Sequence, residues 1–86
     1  MAALDILYFA WVREAIGRDG ERIDTIAPDM TVADVITSLS ARGGGYAAAL
    51  GQPDRLRAAL DQRFVPLDHV VGNARELAIF PPVTGG

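Results

Sequence analysis

The residues best placed to do chemistry are the last seven, Phe80-Pro81-Pro82-Val83-Thr84-Gly85-Gly86. An apolar, strand-like run from Leu77 to Phe80 leads into two prolines and then into two glycines bearing a carboxylate. A carboxylate at neutral pH spreads its charge over both oxygens and resists nucleophilic attack. A nucleotide-consuming partner can activate it as an acyl-adenylate, and a sulfur donor can then displace AMP to leave a thiocarboxylate. The residue types suit that use. Gly85 and Gly86 have no Cβ and enter narrow active sites in conformations closed to other residues. Pro81 and Pro82 fix φ and favour an extended stalk that loses little entropy on insertion. Val83 and Thr84 complete the threading segment, with Thr84 able to supply one directed hydrogen bond. Phe80, at the base of the stalk, is a natural anchor for a partner's apolar surface. A frayed tail is the plain alternative, but such a tail is expected to be polar, without Ile-Phe-Pro-Pro-Val.

Other chemistries are excluded or unsupported. Cysteine is absent, which removes disulfides, thiolate catalysis and any Cys-based zinc site. The single histidine, His69, has no partner at catalytic or metal-binding spacing and reads as a surface or turn residue. No carboxylate cluster marks a metal site, and Asp5, Asp24 and Asp29 show no pairing pattern. The formal charge is −3, and the arginines at 13, 18, 22, 42, 55, 57, 63 and 75 are scattered, so no nucleic-acid face is expected. The N-terminus lacks a basic leader and the run from Ile6 to Val12 is too short to span a bilayer, so a cytoplasmic chain without a membrane partner is expected. There is no lysine. A modifier that forms chains on itself needs acceptor amines, so self-linked polymers are not expected.

Eighty-six residues allow one domain, 1–86, in which 81–86 forms the tail. Leu4 to Ala10 reads as a strand buried on both faces or nearly so. Trp11 to Ile16 reads as a short helix stopped by Gly17, and Glu21 to Ala27 as a second strand antiparallel to the first. Thr31 and Asp34 form a variant capping box. Val32, Val35, Ile36 and Leu39 follow on one helical stripe, with Gly43-Gly44-Gly45 as the stop. Tyr46 to Leu50 reads as a second short helix. Arg55 to Phe64 is ambiguous: Leu, Arg and Ala favour helix, while Leu56, Ala58 and Leu60 alternate as in a strand. Pattern alone leans to helix there. Phe64-Val65 is a short strand candidate, and Glu76 to Phe80 is the last strand, closed by Pro81.

With "FAWVREAIG" (Phe9 to Gly17), the helix opened by "TVADV", "ALDQRFVPLDH" (Ala59 to His69) and "ELAIFPPVTGG" in this order, the chain resembles the small, sulfur-carrying subunits of molybdopterin synthase over nearly its whole length. The resemblance implies an α+β fold, the ubiquitin-like β-grasp, in which a mixed sheet packs against one main amphipathic helix. It also implies that Leu56 to Leu60 is a strand. Asp61 stands where the family often has Asn, and Gly72-Asn73-Ala74-Arg75 replaces a commoner Gly-Asp-Glu turn.

In the family's terms, Gly86 is adenylated by an E1-like enzyme that uses ATP and is converted to the thiocarboxylate by a sulfurtransferase or desulfurase. The tail then enters the large subunit of molybdopterin synthase, and sulfur passes to a cyclic pyranopterin monophosphate. The chain holds no permanent cofactor and is no enzyme on its own. Phe9, Phe64 and Phe80 are the expected docking residues, although core packing is an equal reading for Phe9 and Phe64. Trp11 belongs either to that patch or to a cap over the core, and Arg13 and Glu14 to a solvated helix face. Two alternatives share the chain's features. One is a carrier or modifier for thiamine, cysteine or tRNA thiolation; the other is a β-grasp adaptor with an inert tail.

Overall fold

Alternating apolar residues build the sheet around its first strand. In a computed structural model describing residues 2–82, β1 (Ala2–Tyr8) buries Leu4, Ile6 and Tyr8 and leaves Asp5 and Leu7 half-buried on the other side. One face is therefore covered, where the sequence pointed to two. The chain turns at Phe9 into α1 (Ala10–Ile16), with Ala10 in the left-handed region at φ 54°. α1 ends at Gly17, whose N–H donates to the Arg13 carbonyl at 2.8 Å. β2 (Gly20–Ile26) then returns antiparallel to β1.

α2 (Val32–Ser40) starts on the expected reciprocal cap. The Asp34 N–H donates to Thr31 Oγ1 at 3.1 Å, and the Thr31 N–H donates to Asp34 Oδ2 at 2.9 Å. Its first-turn N–H groups are met from a distant loop: Val32 donates to the His69 carbonyl and Ala33 to that of Leu67. These would otherwise be orphan donors. His69 itself is exposed in that loop. The stripe of Val32, Val35, Ile36 and Leu39 is buried. α2 ends before the glycine run, and Gly44 and Gly45 open α3 (Gly44–Leu50). The run thus separates two helices and supplies the start of the second. At Gly45 a Cβ would run into the carbonyl oxygen of Ala15, so α3 approaches the end of α1 as closely as backbone permits.

A 3₁₀ turn, Pro53–Arg55, precedes β3 (Arg57–Leu60), β4 (Arg63–Val65) and β5 (Glu76–Phe80). The helix favoured by propensity for the 55–64 segment is not there. The strand implied by the family resemblance is, beginning one residue later. Asp61 and Gln62, at φ 48° and 70°, form the two-residue link between β3 and β4. Positive φ at both central positions is the signature of a type I′ hairpin turn. Asp61 Oδ1 also accepts the N–H groups of Arg75 and Glu76, at 2.9 and 3.1 Å, and so pins the hairpin to the start of β5.

The sheet order is β2-β1-β5-β3-β4. The central pair β1–β5 is parallel, and the other pairings are antiparallel. Leu77 and Ile79 of β5 join Leu4, Ile6, Tyr8, Ala58, Leu60 and the α2 stripe in the core. A mixed five-stranded sheet holding its main helix on one face is the β-grasp arrangement, an α+β fold. Among the described residues no helix is long and apolar enough to cross a membrane.

Candidate functional site

Strand alternation decides which side chains surround the base of the tail. In β5, Leu77 and Ile79 point into the core, so Phe80 and Ala78 lie on the face that no helix covers. The register sets Phe80 beside Arg57, and Ala78 beside Ala59, which in turn pairs with Phe64. Phe64 and Phe80 meet with ring centroids 5.6 Å apart at 43°. Arg57, Ala58, Phe64, Val65, Pro66 and Phe80 line a groove of about 420 Å³ there. The Arg57 guanidinium is held by the Leu56 carbonyl, to which Nη1 donates at 2.8 Å.

Phe9 follows β1 at the same end of the sheet, and its N–H donates to the Ile79 carbonyl at 3.2 Å. It is 44% exposed and Phe64 is 80% exposed, so neither is a core residue. Phe9, the residue between β1 and α1, does not line the groove of the Phe64–Phe80 pair. Pro81 is half-buried and Pro82 exposed as the chain leaves the sheet. The expectations for Val83, Thr84, Gly85 and Gly86 fall outside the described residues. What the structure supplies is their root: a strand end with exposed aromatic rings beside it.

Trp11 is 40% exposed and does not line the Phe64–Phe80 groove. It lines a separate groove of about 230 Å³ with Ala48, Ala49, Gln52 and Arg55, between α1 and α3. Arg13 and Glu14 lie on the exposed face of α1, where Arg13 stands 3.8 Å from Asp19. Asp5 is partnered after all, accepting from Arg22 Nε at 3.0 Å across the β1–β2 register.

The sequence reading missed Glu21. Its side chain is only 10% exposed. Oε2 accepts from the hydroxyls of Tyr8 at 2.8 Å and Tyr46 at 2.6 Å, and Oε1 from Arg42 at 2.7 Å and Arg18 at 3.4 Å. Burial alone would raise its pKa. The hydrogen bonds from Tyr46, Arg42 and Tyr8 and the Arg42 charge outweigh that effect and hold the carboxyl below its ordinary range. Tyr8 is pushed well above the ordinary phenol range, by burial first and by its hydrogen bond to Glu21 second. Arg18 lies three residues away, but the other partners lie 13, 21 and 25 residues off in sequence, so no local motif announced the cluster.

Comparison with known proteins follows the same outline. The model of the ThiS family matches residues 6–86. The chain is 38% identical over 84 residues to the molybdopterin synthase sulfur carrier subunit of Haemophilus influenzae, covering 96% of this chain and 99% of that protein. It is 37% identical over 83 residues to the Escherichia coli protein of the same name, with the same coverage. Among solved structures, SAMP1 from Haloferax volcanii matches with a TM-score of 0.71 and 26% identity, over 99% of this chain and 100% of that one.

Proposed function

This chain belongs to the ThiS family, and on that footing we propose that it is the sulfur carrier subunit of a molybdopterin synthase. The observation that carries the reading is the reach of the match. The family model extends through Gly86, so the similarity includes the residues whose chemistry is at issue. An E1-like adenylating enzyme joins the Gly86 carboxylate to AMP with release of pyrophosphate from ATP. Persulfide sulfur supplied by a sulfurtransferase or desulfurase displaces AMP as an acyl disulfide, and a thiol reduces that bond, becoming a disulfide itself, to leave the thiocarboxylate. The charged carrier then docks on the large subunit, which holds the residues that handle the pterin. A new C–S bond forms on the cyclic pyranopterin monophosphate as a C–O bond there is lost, and hydrolysis of the resulting thioester leaves sulfur on the pterin and returns the Gly86 carboxylate. Two deliveries build one dithiolene.

The groove at Phe64 and Phe80 supports docking on physical grounds. Aromatic rings left in water beside a functional tail gain most from a partner's apolar surface. Phe9 extends that surface across the strand end. Pro81 and Pro82 carry the tail outward, and Val83 to Gly86 thread the partner.

Intact mass after incubation with ATP, an E1-like activator and a sulfide source tests the first half. The expected gain equals the exchange of one oxygen for sulfur, confined to the fragment containing Gly86. An unchanged mass, with an activator that charges a control carrier, sinks the proposal. Adding the large subunit and the pterin precursor tests the second half. A charged carrier that yields no dithiolene but serves a thiazole, cysteine or tRNA thiolation system would move the chain to another pathway.

A further inference from the structure

The cluster at Glu21 points to a property unrelated to the tail. α3 has the sequence Gly-Gly-Tyr-Ala-Ala-Ala-Leu, too short for a helix to be stable unaided. No side chain caps its N-terminus. Gly43 and Gly44 precede its body at φ 78° and 55°, and Gly51 follows it. It packs on α1 and α2 and contributes no strand contact of comparable extent. Tyr46 is its only residue with a polar side chain, and that hydroxyl ends on Glu21 at 2.6 Å. Arg42, just ahead of the glycines, binds the same carboxylate and lies 5.0 Å from the centre of the Tyr46 ring.

We propose that Glu21 is the latch of a separately opening unit, residues 42–51, in which α3 leaves α1 and α2 while the sheet stays folded. Two kinds of group meet the latch. Tyr8 from β1 and Arg18 from the loop before β2 belong to the part that stays; Arg42 and Tyr46 belong to the part that moves. Glycines on both sides absorb the change in backbone direction. Opening uncovers Ala49 and Leu50, both buried when closed, and dismantles the groove that holds Trp11. The surface so exposed lies on the helix-covered side of the sheet, away from the Phe64–Phe80 groove.

The test is hydrogen exchange followed by mass spectrometry on the whole chain and on its Glu21→Gln and Tyr46→Phe variants. Trp11, the single tryptophan, reports in parallel through acrylamide quenching. In Glu21→Gln the amides of 46–50 should exchange at least about tenfold faster, through an opening less sensitive to denaturant than that of β1 and β5, as local opening requires. Tyr46→Phe should give the same pattern at about threefold, because one hydrogen bond to the carboxylate is lost where the other variant removes the charge on which all four donors converge. Trp11 quenching should rise in both. The second variant removes one hydroxyl and keeps the test readable if the first fails to fold. Exchange of 46–50 at the same rate and with the same denaturant dependence as β1 and β5 would mean that these residues open only with the whole fold, and would overturn the latch. Unchanged exchange in a folded variant would overturn it as well.

Discussion

The two faces of the sheet hold opposite kinds of expensive group. On the helix side, Glu21 is a carboxylate with 10% of its side chain exposed, and it meets four donors drawn from β1, the loop before β2, the turn after α2, and α3. On the bare side, Phe64 is an aromatic ring with 80% of its surface in water, touching Phe80 and little else that could cover it. The first looks like a site because its pKa is shifted, yet every oxygen is satisfied within the chain. The second has no titrating group and leaves its cost unmet. Perturbed pKa values accompany structural clusters as well as functional ones. In a carrier protein the better guide is the surface that the chain alone cannot finish.

The largest effect that this division predicts lies at the tail. Deleting Gly86 should abolish thiocarboxylate formation, read by intact mass, while the thermal midpoint stays unchanged, because the buried core of the described residues is drawn from Leu4 to Ile79. A retained function in the deletion would favour an adaptor with an inert tail and remove the distinction between the faces. Next comes Phe64→Ala. Loss of an exposed anchor should weaken affinity for the large subunit by about 2–3 kcal/mol, roughly 30- to 150-fold, measured by titration calorimetry. Its stability in denaturant should stay within about 0.5 kcal/mol of the parent. A variant that unfolds easily but binds normally would make Phe64 a packing residue.

Gly45→Ala reverses the pattern. The added Cβ meets the Ala15 carbonyl, which is backbone and cannot swing aside. Overpacking of this kind costs about 2 kcal/mol, visible as a lower denaturation midpoint, and the distant groove should bind its partner as before. A neutral outcome would show that α1 and α3 part readily at this point, and the close approach would carry no stability.

Legibility followed the same division. α2 was readable because its cap, its stripe and its end are local, and each appears in the structure within a residue or two. β3 misled the propensity reading for a specific reason. In Arg57-Ala58-Ala59-Leu60 three consecutive residues are buried, and the apolar Ala59 between them blurs the alternation of Leu56, Ala58 and Leu60, leaving helix propensity to tip the reading. Ala58 and Leu60 face the core, whereas Ala59 is covered from the bare side, where its register partner is Phe64. The turn after it carries no glycine at either positive-φ position, so the hairpin lacked its usual signal. Phe80 could be placed from alternation and Pro81. The Phe64–Phe80 contact depends on β4 folding back along β3, which spacing alone does not show. The Glu21 cluster depends on Tyr8, Arg42 and Tyr46 arriving from distant parts of the chain, which the local Arg18–Glu21 spacing does not reveal.

The smallest expected effect concerns acid stability, and it separates the faces by pH alone. Glu21 has a folded pKa below its ordinary 4.5, with burial opposing the shift and Tyr46, Arg42 and Tyr8 producing it. A depressed carboxylate contributes stability that is fully present above the unfolded value and is lost as pH falls through the folded one. Between pH 7 and about 5 the parent and Glu21→Gln should therefore differ by a constant amount. Below 4.5 the gap should narrow, because the parent loses a contribution that the glutamine variant never had. Denaturant midpoints collected across that range measure it directly. Phe64→Ala should run parallel to the parent throughout, since the groove at Phe64 holds no carboxylate. If the gap for Glu21→Gln stays constant down to pH 2, the carboxylate gains nothing from its four donors over its unfolded state. The helix side would then hold Glu21 by packing, and the contrast between a completed polar cluster and an unfinished apolar one would rest on the aromatic face alone.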